Sequence, residues 1–242
     1  MREAGRIVAL ALEAVRAQIA PGVTTAELDA VAEEAIVSRN AIPAFKGVTQ
    51  HEGQRPFPAT ITASINEELV HGIPGPRKLR EGDIISIDCG AIYEGFVGDA
   101  AFTAPVGEVD PEAQRLLAVT RQALQEGIGM MRPGNRTGDV SHAIQAYVEA
   151  NGFNVVREYT GHGVGRLMWE QPQVPNYGTP GRGTKLRPGM TIALEPMVNA
   201  GSPATQVLSD QWTVATRDGR LCAHFEHSIA VTENGPMILT MP

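Results

Sequence analysis

Two aspartates, Asp88 and Asp99, lie in a stretch otherwise rich in Ile, Ala, Cys and Phe. The stretch reads as two strands, 84–91 and about 96–103, joined through Tyr93-Glu94-Gly95. A turn centred between Tyr93 and Glu94 sets the two side chains directly opposite each other, with Cβ atoms roughly 5 Å apart. Facing carboxylates on apolar strands repel unless one is protonated or a cation lies between them. A bound metal ion removes the conflict; the alternative is solvation at an exposed sheet edge. Glu195 closes another apolar run, Met190 to Leu194, and Glu226 sits in the apolar strand that runs through Ser228-Ile229-Ala230-Val231. His162 stands between Gly161 and Gly163, which leave room for an ion or ligand to approach.

One imidazole and four carboxylates overcompensate a single divalent ion, whereas two ions bridged by a carboxylate restore the balance. Oxygen-rich ligation with one nitrogen suits Mn, Fe, Co or Zn. Two such ions about 3.5–4 Å apart hold a water, lower its pKa and polarise a carbonyl. The chemistry expected is amide hydrolysis.

The elements that must position these residues follow from spacing. Helices are expected at 4–20, from Thr25 to about Ser38, at 111–130 and at 137–151. Strands are expected at 59–65, 84–91, 96–103, 153–158, 190–198, 212–217 and 225–232, and the polar, Gly/Pro-rich segment from Phe45 to Pro58 reads as a surface loop. The order of helices then strands occurs twice, and three sequence echoes accompany it. Pro21-Gly22-Val23-Thr24-Thr25-Ala26-Glu27-Leu28 is echoed from Pro133 to Val140, His71-Gly72-Ile73 by His162-Gly163-Val164, and Lys78 to Asp88 by Lys185 to Glu195. Each echo alone is ordinary turn chemistry; three in the same order predict one domain, residues 1–242, built of two related halves, about 1–105 and 106–242. Asp88 and Glu195 then meet across a pseudo-twofold axis.

Composition sets the frame: 242 residues, 43% apolar and 19% charged, with a formal net charge of −7. These values describe an ordinary globular chain. Acidity without blocks of like charge argues against nucleic acid or an anionic membrane as partner. The run Ile7 to Val15 is interrupted by Glu13 and reads as an amphipathic helix, not a signal peptide. Cys89 and Cys222 lack metal-type spacing and suit a reducing cytosol, a single disulfide between them being the less favoured option.

The stretches Asn66 to Pro74, Glu81 to Asp88, Gly98-Asp99, Gly161-His162-Gly163-Val164-Gly165-Arg166, Glu195-Pro196-Met197-Val198-Asn199 and Glu226-His227 resemble the methionine aminopeptidases of the short bacterial type over nearly the whole chain. The resemblance implies an α+β fold of the pseudo-twofold pita-bread kind, a curved antiparallel sheet covered by helices. It also implies two divalent ions, with Asp88 and Asp99 on the first, His162 and Glu195 on the second, and Asp99 and Glu226 bridging. Glu195 is expected to move the proton, and His71 to lie beside the scissile amide. Read from the residues alone, His71 before Gly72-Ile73-Pro74 suits a packed turn as well as a catalytic role. The methionine pocket is expected from Phe57, Thr62, Met168, Met197 and Trp212, each of which also suits a core. Substrates are then the N-termini of nascent chains, met at the ribosome by a cytoplasmic monomer.

The chain departs from this family in three places. Trp169 stands where the family carries a second active-site histidine; an indole donates but neither accepts nor protonates, so reduced turnover or altered preference is expected. The Val48 to Pro56 loop is diverged, which leaves any contact from Gln54 open. Met1 matches an internal methionine of the family, so a short upstream segment is missing or the start differs. His51, His142 and His224 receive solvated or structural roles, and His227 is a candidate to support Glu226. Two other readings compete: a proline-specific dipeptidase or aminopeptidase of the same fold, whose members carry a histidine where this chain has Arg166, and a catalytically weakened binding paralogue.

Overall fold

The computed structural model describes residues 1–49 and 51–242; Gln50, within the diverged loop, lies outside the described residues. The first half runs α1 (Arg2–Arg16), α2 (Thr25–Val37), β1 (Ile42–Pro43), β2 (Ile61–Ile65), β3 (Glu68–Val70), β4 (Ile84–Tyr93) and β5 (Phe96–Pro105). The second runs α3 (Pro111–Met130), α4 (Thr137–Ala150), β6 (Asn154–Val155), β7 (Thr160–Gly163), β8 (Glu170–Pro175), β9 (Thr191–Leu194), β10 (Met197–Asn199), β11 (Thr205–Val207), β12 (Val214–Thr216), β13 (Cys222–His224), β14 (Glu226–Thr232) and β15 (Gly235–Ile238).

The helices form for local reasons. In α1, Ile7, Val8, Ala11, Leu12 and Val15 fall on one buried stripe. α2 begins with a capping box, Thr24 accepting from the Glu27 amide while Glu27 accepts from the Thr24 amide. Asp110 caps α3, with Pro111 at its first turn. α1 ends at Arg16 rather than near residue 20, because the chain tightens into three-residue turns, Gln18 N–H to Val15 O and Ile19 N–H to Arg16 O, ahead of Pro21.

Among the described residues a nine-stranded antiparallel sheet runs β1-β4-β5-β14-β9-β7-β8, with β2 on β4 and β15 on β14; β13-β10-β6 and β11-β12-β3 form two smaller sheets. The principal core unites the inner faces of all four helices with Ile61, Ile85, Ile87, Phe102, Ile192, Leu194 and Ile229 from the large sheet. Each such side chain contributes about 1.5–3 kcal/mol on burial. α1 approaches β5 most closely at Gly98, where a Cβ would sit 2.7 Å from the Ala4 carbonyl carbon. A second cluster, including Phe45, Phe57, Val97, Ala193 and Trp212, is separate from this core.

The two halves share a local pattern. Gly22 N–H bonds to Leu79 O and Leu79 N–H to Val23 O; Gly134 N–H bonds to Leu186 O and Leu186 N–H to Asn135 O. Bridges Thr24–Lys78 and Arg136–Lys185 are likewise matched.

The hairpin register differs from the expected one. Tyr93 pairs with Phe96, so the turn is the two-residue Glu94-Gly95, both with positive φ, and Asp88 faces Ala101 while Asp99 faces Gly90. The aspartates are therefore diagonal neighbours rather than direct partners, still on one face because the shift is even. The expected strand 190–198 is broken at Glu195-Pro196 into β9 and β10, which belong to different sheets. The expected 153–158 strand shrinks to β6, and β1, β3, β7, β8, β11, β13 and β15 lie outside the strands that spacing predicts. The 45–58 segment holds no strand among its described residues, yet Phe45, Gln54 and Phe57 in it are buried.

Candidate metal centre

Asp88 on β4 and Asp99 on β5 project from the middle of the large sheet, Glu226 opens β14 beside β5, and His162 on β7 faces β9. Glu195 lies in the break after β9, where the chain leaves the sheet. These five residues line one cavity of about 420 Å³, together with His71, Phe57, Thr62, Met168, Trp169, Met197 and Trp212. The residues expected from sequence to ligate metal, catalyse or bind methionine thus line one space.

Ligand atoms of Asp99, His162 and Glu226 lie within 4.8 Å of one another. His162 Nε2 is 3.7 Å from Asp99 Oδ2 and 3.5 Å from Glu195 Oε1. Its Nδ1 is 2.9 Å from the Gly163 carbonyl oxygen, which only accepts, so the proton sits on Nδ1 and Nε2 is a bare lone pair. A lone pair among carboxylate oxygens is a repulsive arrangement without a cation. Oδ1 of Asp88, Oδ1 of Asp99 and Oε1 of Glu226 are buried without a hydrogen-bond partner among the described residues. Orphaned acceptors around a bare imidazole nitrogen are what a hard or borderline divalent ion completes, and the donor set fits one.

The electrostatics agree. Burial pushes Asp99 up to about 7. Asp88, Glu195 and Glu226 are held well above the usual carboxylate range, first by burial and then by the charges of their neighbours, Asp99 foremost. Burial lowers His162. Burial thus favours the neutral forms of these carboxyls, whereas a cation among them would favour the charged forms.

His71 has a positive φ of 62°, uncommon for a residue with a side chain, and its ring meets Tyr159 and Trp212 edge-on at 6.0 and 6.4 Å. The turn is held by Ser64 Oγ accepting from Gly72 N–H at 3.0 Å. Burial lowers His71 to about 4, so the ring is neutral. Phe57 and Trp212 meet edge-on at 5.1 Å, and the indole N–H donates to Arg55 O at 2.9 Å. Trp212 is 5% exposed whereas Trp169 is 51% exposed, which makes the Phe57–Trp212 end of the cavity closed and the Trp169 end open. The Trp169 ring lies 6.5 Å from the His162 ring. Glu170 fixes its loop by accepting from the Arg166 and Leu167 amides.

One residue of the cavity was read as structural. His224 is 1% exposed, with Nε2 3.7 Å from Glu195 Oε2 and 3.9 Å from Glu226 Oε2, and neither ring nitrogen has a hydrogen-bond partner. The i, i+2 spacing from Glu226 was the available signal. Burial, with a contribution from His71, lowers it to about 3. His227, a candidate to support Glu226, puts Nδ1 2.8 Å from Thr240 Oγ1, consistent with the alternation of faces along β14. His142 is exposed on α4, His51 lies in the loop, and Cys89 and Cys222 are buried free thiols.

A curled antiparallel sheet with helices packed on it and a carboxylate–imidazole cluster in its cleft defines a metal-dependent hydrolase of pita-bread architecture. Residues 1–233 match the model of metallopeptidase family M24, and the chain belongs to that family. It is similar to methionine aminopeptidase 1 of Bacillus subtilis, 54% identical across 99% of this chain and 94% of the relative. It is also similar to the crystal structure of methionine aminopeptidase from Thermotoga maritima, TM-score 0.95 at 50% identity, covering 100% and 95% of the two chains. The prolidase from Pyrococcus furiosus, at 22% identity and TM-score 0.79 over 100% of this chain and 62% of that one, shares the fold.

Proposed function

We infer that the protein is a metal-dependent methionine aminopeptidase, an exopeptidase that hydrolyses the bond after an N-terminal methionine. Identities of 44–54% to methionine aminopeptidases along the whole chain support the activity. The observation that carries the chemistry is the bare His162 Nε2 facing Asp99 and Glu195 beside three orphaned carboxylate oxygens.

In this reading two divalent ions, drawn from Co, Mn, Fe or Zn, occupy the cleft. Asp88 and Asp99 would hold one and His162 and Glu195 the other, with Asp99 and Glu226 serving both. When bound, the ions supply Lewis acidity, polarising the scissile carbonyl and lowering the pKa of water. Glu195 takes up the proton released in the attack. His71, neutral at working pH, orients the scissile amide by hydrogen bonding and assists the leaving amine. The closed end, Phe57, Thr62, Met168, Met197 and Trp212, accepts the methionine side chain, whose polarisable thioether suits aromatic and thioether walls. The rest of the peptide leaves past Trp169. The substrates are nascent-chain N-termini, met in the cytoplasm, at the ribosome, by a monomeric single domain of two related halves.

Metal-free protein reconstituted with each ion and offered Met-Gly-type and Xaa-Pro peptides tests this reading. Selective release of methionine supports it, and proline-dependent cleavage transfers the protein to the proline-specific branch. Metal uptake without hydrolysis makes it a binding paralogue.

A further inference from the structure

The cleft contains a buried imidazole for which the mechanism above has no use. His224 and His162 both direct Nε2 at carboxylates, but their tautomers are set differently. A backbone carbonyl fixes the His162 proton on Nδ1 and leaves Nε2 free to ligate. No such acceptor meets His224 Nδ1, while Nε2 faces Glu195 Oε2 at 3.7 Å and Glu226 Oε2 at 3.9 Å. Two acceptor oxygens on one side of a neutral ring favour the proton on Nε2. The backbone of His224 is fixed in turn: its N–H donates to Thr103 Oγ1 at 2.8 Å, the same hydroxyl reaches the His224 carbonyl at 2.9 Å, and Ser86 Oγ lies 2.9 Å from it. β13 pairs His224 with Met197, two residues after Glu195. The Glu195 backbone is held separately, its carbonyl accepting from Asn176 Nδ2 at 3.1 Å.

We propose that His224 is a positioning residue, directing Nε2–H at Oε2 of the Glu195 carboxylate across the 3.7 Å between them so that the other oxygen, Oε1, stays turned towards His162 Nε2. A carboxylate that must ligate and handle a proton has two rotatable oxygens; a donor on one face assigns them. The inference rests on Glu195 acting as a metal ligand, as proposed above. His224 itself is not a ligand in this assignment.

The test titrates Co²⁺ into metal-free wild type, His224→Ala, His224→Gln and Glu195→Gln, followed by calorimetry and by the visible spectrum of the bound ion. Turnover of a methionyl peptide is measured alongside. His224→Ala is expected to bind Co²⁺ about tenfold or more weakly, the scale on which groups orienting metal ligands act, and to lose kcat with KM little changed. His224→Gln, whose amide N–H replaces the donor, is expected to recover most of both and to keep the wild-type spectrum. Wild-type affinity and kcat in His224→Ala overturn the proposal, as does a His224→Gln protein as impaired as the alanine variant. Glu195→Gln separates the two layers: unchanged Co²⁺ binding there removes Glu195 from the metal site, whatever the His224 variants do.

Discussion

At the scale of single residues, Asp99 and Glu226 are the most exacting positions, because each is buried, each has an unpartnered oxygen and each is proposed to serve both ions. Asp99→Asn and Glu226→Gln are expected to lower kcat by more than about 100-fold, exceeding the 10–100-fold typical of groups that merely orient ligands. Metal stoichiometry should fall with it; wild-type turnover in either variant would remove the bridging assignment. Trp169→His is expected to hydrolyse methionyl peptides as fast as the parent or faster, since an imidazole restores accepting and protonating capacity at the open end. A large loss, read as kcat/KM, would show that the indole has its own role. The acidic positions were legible in the sequence because a carboxylate in an apolar strand is out of place. His224 offered only its i, i+2 spacing from Glu226, because what turns its ring towards Glu195 is the break at Pro196 and the pairing of β13 with β10, long-range features that local spacing does not carry.

Among the elements, the β4–β5 hairpin is the one whose geometry decides the site. Its apolar strands and its turn could be read directly, but its register depends on which two residues occupy the turn. Glu94 and Gly95 both take positive φ, which moves the centre one residue along and sets Asp88 and Asp99 diagonally. β7 and β8 escaped notice because the first is glycine-rich and short and the second carries two prolines, features that ordinarily mark loops. The approach of α1 to β5 offers a stability test. A Cβ at Gly98 meets the Ala4–Gly5 backbone, which cannot move without shifting the helix. Gly98→Val is expected to cost about 1–3 kcal/mol or more by overpacking. Thermal unfolding followed by circular dichroism checks this, and an unchanged Tm would mean that α1 is free to lift away.

For the whole molecule, the mirrored hydrogen bonds at Gly22–Leu79 and Gly134–Leu186 fit the reading of two halves meeting at the cleft. Concentrating acids in the cleft has a consequence for stability. In metal-free protein Asp99 is raised to about 7 and Asp88, Glu195 and Glu226 stand well above their unfolded values, so their contribution is fully present below about pH 4 and is lost as pH rises through the folded values. His71, His224 and His227, lowered to about 4, 3 and 4, act in the opposite sense, but only below the unfolded value of 6.5. Between about pH 6.5 and 8.5 the carboxylates dominate the slope, the buried Cys89 and Cys222 thiols adding to it at the upper end and the Met1 amino group, lowered by burial, opposing it. Metal-free protein should therefore lose Tm across that window while the metal-loaded form changes much less. Equal slopes in scanning calorimetry would contradict the clustered charges.

The central claim, that this cleft is a metal-dependent methionine-releasing site, is tested most directly by following free methionine from a Met-Gly-type peptide as chelator-treated protein is reloaded with Co, Mn, Fe or Zn. Release is predicted to be absent in the metal-free protein, to appear on reloading with at least one of the four ions and to stop again on chelation. Methionine release that persists through chelation, or its absence with all four ions, would contradict the account.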